Sequence, residues 1–232
     1  MKISLLLRVM ALVSAPGMLF GDVILDWSSP GNNPVGYYYV SPYTATVKGL
    51  GQQIVLYCID FNHEVAPPNE WNAVIASLNS ADSASFQYGA QWTKYEEAAW
   101  LIDQLSAADG TTATGLHQRA IDQYAAWEIF LDAAHTGAYN SSVQAAGGTP
   151  FANEISAAYS AALAAVGNGY TPTGWDVLTP DPRGLSTSTQ EFLTPSTGPR
   201  FPTSEVPEPS TIFLLGTTIA ALVMHRRKTV SH

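Results

Sequence analysis

The sequence has very little cysteine and no pattern typical of a metal or phosphate site. Cys58 is the single cysteine in 232 residues, so no internal disulfide can form. The five histidines are scattered, and none has the spacing of a paired zinc ligand set. Neither a Gly-x-Ser-x-Gly turn nor a phosphate-binding glycine loop occurs. We therefore predict a protein with no metal, no cofactor and no enzyme activity.

Basic residues and long apolar runs are also scarce. The chain has 10 Lys and Arg against 19 Asp and Glu, a formal net charge of −9. Such an acidic protein is repelled by nucleic acid and by anionic membrane surfaces, so we expect no nucleic-acid partner. No apolar run reaches the roughly 20 residues that a permanent transmembrane helix needs.

The N-terminal residues are typical of a secretory leader. Lys2 and Arg8 flank short apolar stretches, and small residues follow them. This pattern predicts a signal peptide over residues 1–21, cleaved after Gly21. Cleavage after Ala15 is the alternative, although Pro16 would follow that site.

The C-terminal residues combine three features in a fixed order. Val206-Pro207-Glu208-Pro209 is followed by an apolar segment over 210–224 and by the basic cluster Arg226-Arg227-Lys228. Together they resemble the PEP-CTERM sorting tail of Gram-negative envelope proteins. The resemblance implies that an exosortase in the inner membrane cleaves near the motif and passes the protein to the cell surface or extracellular matrix.

The tail also has a plain physical interpretation. Its apolar run from Ile212 to Met224 is about 13 residues, which suits a short hydrophobic helix that anchors the chain before processing. The basic cluster is expected to stay cytoplasmic, which places the rest of the chain outside. An ordinary tail anchor with a basic stop is the alternative, but it does not account for the Pro-Glu-Pro signature.

The remaining chain is predicted to be an α+β protein. Short β-rich segments separated by turn residues run from Asp22 to about Leu78, and helical periodicity follows. We expect three helices: one with Thr93 as its N-cap, one from about Leu116 to Ala133, and one from about Phe151 to Val166. The expected architecture is an antiparallel β-sandwich or barrel with a two- or three-helix insertion.

The chain is thus divided into four parts. After the leader, a body of β and helical segments occupies 22–170. Prolines, serines and threonines then dominate 171–205, which predicts an extended linker, although Trp175 to Leu178 and Glu191 to Leu193 could dock as edge strands. The sorting tail occupies 206–232.

Two polar residues fall at positions expected to be buried. Cys58 ends an apolar strand in which alternation places it on the same face as Ile54 and Leu56. Gln123 lies within the apolar stripe of the second helix, where a carboxamide is costly unless its hydrogen bonds are satisfied. A thiolate held against such a carboxamide can displace ammonia and form an internal thioester.

The local motifs resemble the thioester domains of bacterial surface adhesins. In that family the cysteine lies in an aromatic-Cys-apolar motif on a strand, as in Tyr57-Cys58-Ile59. The glutamine begins an apolar helical motif, as in Gln123-Tyr124-Ala125-Ala126-Trp127. One departure is Asp122, which stands where the family has an apolar residue. The resemblance implies covalent adhesion through a Cys58–Gln123 thioester to an amine or polysaccharide on a target surface.

Other interpretations stay open at this point. A lone cysteine usually packs in the core, and Gln123 could simply hydrogen-bond a strand edge. Gln118 is a weaker candidate acyl donor because it faces away from Gln123. Without a thioester, the protein would be a non-covalent structural or carbohydrate-binding component of the matrix.

Overall fold

A computed structural model describes residues 21–31, 33–63, 70–89, 91–181 and 189–196. Eight strands occur in this part of the chain: β1 Gly21–Ser29, β2 Pro34–Val35, β3 Tyr38–Tyr39, β4 Tyr43–Val47, β5 Gln52–Cys58, β6 Glu70–Ser77, β7 Trp175–Pro180 and β8 Phe192–Pro195. A short 3-10 helix, Ser83–Ser85, and four α-helices lie between β6 and β7: α1 Trp92–Ala107, α2 Ala113–Phe130, α3 Thr136–Ala146 and α4 Thr149–Gly167. The predicted α+β class is confirmed.

Six of the strands form a closed antiparallel barrel in the order β1-β4-β5-β8-β7-β6. Alternating side chains point inward, as the burial of Tyr43, Ala45 and Val47 along β4 illustrates. Aromatic rings fill the interior, where Trp27 and Trp71 both pack against Phe192 of β8. The barrel core is therefore built from residues that are far apart in sequence.

The segment predicted to be a linker instead contributes two barrel strands. β7 pairs with β6 from Ala73↔Pro180 to Ser77↔Asp176, and β8 lies between β7 and β5. They are not edge strands, because each has a neighbour on both sides. This corrects the predicted body boundary at 170, since the barrel closes only at Pro195.

The helices form the second part of the fold, and they number four rather than two or three. Leu101, Ile102 and Leu105 of α1 are fully inaccessible, and every residue of α2 from 120 to 127 is buried, so α2 is enclosed on all sides along that stretch. The predicted cap of α1 is wrong: the helix already includes Thr93, and Gln91 at its N-cap makes no side-chain bond. The α2 helix does have a side-chain cap, because Thr112 Oγ1 accepts from Gly115 N.

A small hairpin of β2 and β3 lies against the helices. Gly36 turns the hairpin with a φ of 61°, a conformation that other residues adopt at a cost. Tyr37 N donates to Ser142 Oγ of α3 at 3.0 Å, and Tyr124 OH of α2 donates to the Val35 carbonyl at 2.8 Å. These bonds fix the hairpin and the three tyrosines that it carries.

The expected leader and tail lie outside the described residues, apart from Gly21. The short hydrophobic helix predicted over 210–224 therefore has no structural description here. Within the described ranges, none of the helices has the length and apolar character that crossing a membrane requires.

Candidate functional site

Strand β5 places Cys58 in the interior, as its alternation predicts. The residue has no exposed surface, and its backbone N donates to Ser41 Oγ at 3.0 Å. Its thiol donates to the Asp60 carbonyl at 3.2 Å. The last residue of β5 is thus held by contacts on both its backbone and its side chain.

Helix α2 brings Gln123 to the same place. Its carboxamide is fully buried, and Nε2 donates to the Cys58 backbone carbonyl at 2.6 Å. Oε1 accepts from the Ser41 backbone N at 3.2 Å. The two residues singled out in the sequence therefore meet, and Ser41 contacts both of them.

Burial sets the electrostatics of the thiol. Removal from water raises the pKa of Cys58 well above its usual range, and the nearby Asp60 charge raises it further. The hydrogen bond to the Asp60 backbone and the indole N–H of Trp127 partly offset this effect. That indole nitrogen lies within the core without a hydrogen bond of ordinary geometry. Cys58 is thus a protonated thiol at neutral pH.

Asp122, the residue that departs from the adhesin motif, is buried on α2. Its exposure is 1%, and Oδ1 accepts from Gln118 Nε2 at 2.9 Å. Burial raises its pKa to about 6, and the bond from Gln118 partly offsets that rise. Gln118 itself is exposed and engaged with Asp122 rather than with Cys58, so the structure separates this rival donor from the thiol.

Asp60 is the centre of a buried network that the sequence did not reveal. Its Oδ1 accepts from the Asn62 backbone N at 2.9 Å, a local turn in which the side chain bonds the backbone two residues on. Tyr88 OH also donates to Oδ1, while His63 Nδ1 pairs with Oδ2 at 2.7 Å and Gln87 Nε2 donates to Oδ2 at 3.0 Å. Hydroxyl, amide, backbone and imidazole groups thus satisfy a carboxyl group that has no exposed surface.

A second buried carboxyl, Glu191, joins this network from the strand that closes the barrel. Tyr95 OH and Thr179 Oγ1 each donate to it at 2.6 Å, and the Gln87 backbone N donates at 2.8 Å. Burial raises the pKa of Glu191 to about 7, although these donors oppose the shift. The only sequence signal was an acid followed by apolar residues, Glu191-Phe192-Leu193.

The described part of the chain contains no group of three His, Cys, Asp or Glu residues that could hold a metal ion. The residues of the predicted sorting signal, Val206, Pro207, Glu208 and Pro209, lie outside the described residues. So does the basic cluster of Arg226, Arg227 and Lys228.

Comparisons with known proteins support the interpretation of the tail. Residues 205–228 match the family model of the PEP-CTERM protein-sorting motif. The body is similar in structure to the N-terminal domain of the Streptococcus pyogenes pilus tip adhesin Cpa, with a TM-score of 0.43 and 9% sequence identity. That similarity covers 80% of this chain and 97% of the adhesin domain. The curated proteins give no significant sequence match.

The matched tail indicates an exported protein that is processed by an exosortase. The same tail indicates association with the surface after processing.

Proposed function

We propose that the exported body is an attachment domain that forms an internal thioester between Cys58 and Gln123. The observation that carries the proposal is the bond from Gln123 Nε2 to the Cys58 backbone carbonyl at 2.6 Å. It holds the carboxamide beside the thiol-bearing residue inside a core with no exposed surface at either residue. Such fixed proximity replaces a bimolecular encounter by an intramolecular one.

The proposed bond formation is balanced without any further reactant. Cys58 Sγ attacks the side-chain carbonyl carbon of Gln123, and the C–N bond to Nε2 breaks. The thiol proton passes to the departing nitrogen, which leaves as ammonia. No oxidant or reductant is needed, and one thioester replaces one amide and one thiol.

The surroundings of Gln123 favour this step. The Ser41 backbone N–H already donates to Oε1, the oxygen on which negative charge develops as sulfur attacks the carbonyl carbon. A fixed donor at that position stabilises a tetrahedral intermediate. Burial then protects the finished thioester from water. The raised pKa of Cys58 opposes the step, because the thiol must lose its proton during the attack.

Attachment would use the thioester once. A primary amine on the target attacks the acyl carbon, the C–S bond breaks, and Cys58 is released as a thiol that takes up the amine proton. The product is an amide between Gln123 and the target, and a hydroxyl would give the corresponding ester. Because the acyl group is consumed, the protein is a single-use reagent and not an enzyme.

The intact mass of the purified chain tests the proposal. The wild-type chain is expected to be lighter by one ammonia than its sequence predicts after leader processing, and Cys58→Ala and Gln123→Ala are expected to have their full masses. Methylamine should add its own mass to the wild type and release a titratable thiol.

Gln118→Ala is the matched control, because it removes a glutamine from the same helix without touching Cys58. It should retain the ammonia deficit. A wild-type chain of full mass with a free thiol contradicts the thioester. In that case Cys58 and Gln123 serve packing alone.

A further inference from the structure

An aromatic cleft is lined in part by Trp127, whose indole also interacts with the Cys58 thiol. It has a volume of about 180 Å³, below the roughly 300–1,000 Å³ of drug-sized ligand sites, so it suits only a small ligand. Seven aromatic side chains and three other residues line it: Trp27, Tyr37, Tyr38, Tyr39, Tyr43, Phe61 and Trp127, with Pro30, His63 and Gln190. We propose that this cleft, named here the aromatic cleft, binds a neutral pyranose unit of a surface or matrix polysaccharide.

The rings of the aromatic cleft fall into a fixed floor and an exposed rim. Trp27, Tyr43, Phe61 and Trp127 are each no more than 6% exposed and pack against other rings in the core. Tyr37 and Tyr39 at the rim are 72% and 48% exposed. The electron-rich faces of such rings attract the C–H bonds of a sugar ring, whose polarised hydrogens carry positive charge.

The rim is held in place before any ligand arrives. Tyr43 OH donates to the Tyr39 carbonyl at 2.6 Å, and Tyr37 N donates to Ser142 Oγ at 3.0 Å. Exposed tyrosines on an anchored hairpin lose little conformational entropy on binding, which favours affinity. Large exposed aromatic side chains at a concave surface are therefore better explained by a ligand than by packing.

The polar groups of the aromatic cleft can form hydrogen bonds with the hydroxyl groups of a sugar. His63 is held by Asp60, and Gln190 Nε2 donates to the Asp60 carbonyl at 3.0 Å, so both side chains have fixed orientations at the lining. Tyrosine hydroxyls add further donors and acceptors. A few placed polar groups among aromatic walls give orientation and specificity to a small ligand.

The charge balance argues for a neutral ligand. None of the described residues that line the aromatic cleft is Lys, Arg, Asp or Glu. A uronate or a sulfated sugar would meet no Lys or Arg among these residues, and the net charge of −9 repels it. Aromatic cages can also bind quaternary ammonium ions, so choline is the competing ligand that the test must include. The proposal concerns non-covalent binding and does not depend on the thioester.

Saturation-transfer NMR with the full chain in solution tests the aromatic cleft. The probes are the neutral glucans cellohexaose and maltohexaose, the anionic hexagalacturonate, and choline. We expect saturation transfer to ring protons of a neutral glucan and none to hexagalacturonate. The Tyr37→Ala/Tyr39→Ala double variant should bind that glucan about tenfold more weakly, because it removes two stacking surfaces.

Two controls separate the aromatic cleft from other effects. Tyr159→Ala removes a partly exposed tyrosine of α4 that does not line the aromatic cleft, and it should bind like the wild type. Cys58→Ala should also bind normally, since binding is independent of the thioester. The proposal would be overturned if neither neutral glucan bound, or if choline bound in their place. It would also be overturned if the double variant and Tyr159→Ala lost the same amount of glucan affinity.

Discussion

At the scale of single residues, two of the buried carboxyl groups, Asp60 and Glu191, have no exposed surface at all. Their hydrogen bonds in the described residues come from hydroxyl, amide, backbone and imidazole groups and not from Lys or Arg. The backbone N of Glu191 lies 3.4 Å from Asp60 Oδ2, so the two acids belong to one network.

The Glu191 carboxyl is expected to make stability depend on pH. Burial raises its pKa from 4.5 to about 7, so the folded state binds this proton more tightly than the unfolded state does. Its contribution is fully present below pH 4.5 and is lost as pH rises through about 7. Between these two pH limits, the contribution of Glu191 to the free energy of unfolding changes by an amount on the order of 3 kcal/mol.

Urea unfolding at several pH values measures this effect. Glu191→Gln should flatten the dependence of the free energy of unfolding between pH 4.5 and 7. Glu96→Gln, a partly exposed acid of α1, should keep the wild-type slope. The same slope in Glu191→Gln and the wild type would contradict the assignment.

Cys58 and Gln123 could be identified from the sequence, whereas Ser41 and the Asp60 network could not. Strand alternation predicts that Cys58 is buried, and helical spacing predicts the same of Gln123, so both signals are local. Asp60 meets Gln87 and Glu191 across separations of 27 and 131 residues. No periodic pattern encodes contacts of that range.

At the scale of elements, the β2–β3 hairpin joins the helices to the aromatic cleft. Its turn at Gly36 lies against α3, and its tyrosines form the rim. The hairpin has only two residue pairs, Pro34↔Tyr39 and Val35↔Tyr38. Its position therefore depends on tertiary contacts rather than on the few hydrogen bonds between its two strands.

A side chain at Gly36 is expected to displace this hairpin. A Cβ there would overlap the backbone carbonyl and hydroxyl of Ser142, and φ is 61°. Gly49 is a matched control, because its φ is 86° but a Cβ would meet nothing within 4 Å. Gly36→Ala should lower the free energy of unfolding by roughly 1–3 kcal/mol more than Gly49→Ala, the cost of overpacking.

Urea denaturation of the two alanine variants checks this expectation. Equal decreases in the free energy of unfolding would contradict it, because they would show that Ser142 can move aside without an energetic penalty. Gly36→Ala should also weaken glucan binding, since the rim tyrosines move with the turn. Gly49→Ala should leave that binding unchanged.

The elements themselves were predictable to different degrees. The α1, α2 and α4 helices have apolar periodicity, and the sequence predicts them within a few residues. The α3 helix was missed because its residues, Thr136–Ala146, are mostly small or polar. Strands β7 and β8 lie in a proline-rich context that favours a linker, and only tertiary pairing makes them strands.

At the scale of the whole molecule, the two ends of the described chain complete one barrel. β1 pairs with β4 and β6, and β8 is inserted between β5 and β7. Strands from the C-terminal part thus cover backbone groups of strands near the N-terminus. The barrel cannot close until residues beyond 190 are present.

Truncation is expected to show this dependence. A chain ending at 170 lacks β7 and β8, which leaves β5 and β6 without one neighbour each, so it should lose its cooperative unfolding transition. A chain ending at 199 keeps all six barrel strands and should unfold like the full chain. Near-ultraviolet circular dichroism during thermal melting distinguishes the two, and native-like melting of the shorter chain would contradict the expectation.

The seam between β5 and β8 is the shortest in the barrel, with only the residue pairs Tyr57↔Leu193 and Cys58↔Phe192. By comparison, β1 and β6 share six pairs. Transient local opening costs least where the fewest backbone bonds must break. Cys58 belongs to this seam, so we expect outside molecules to reach its enclosed sulfur only when these two residue pairs separate.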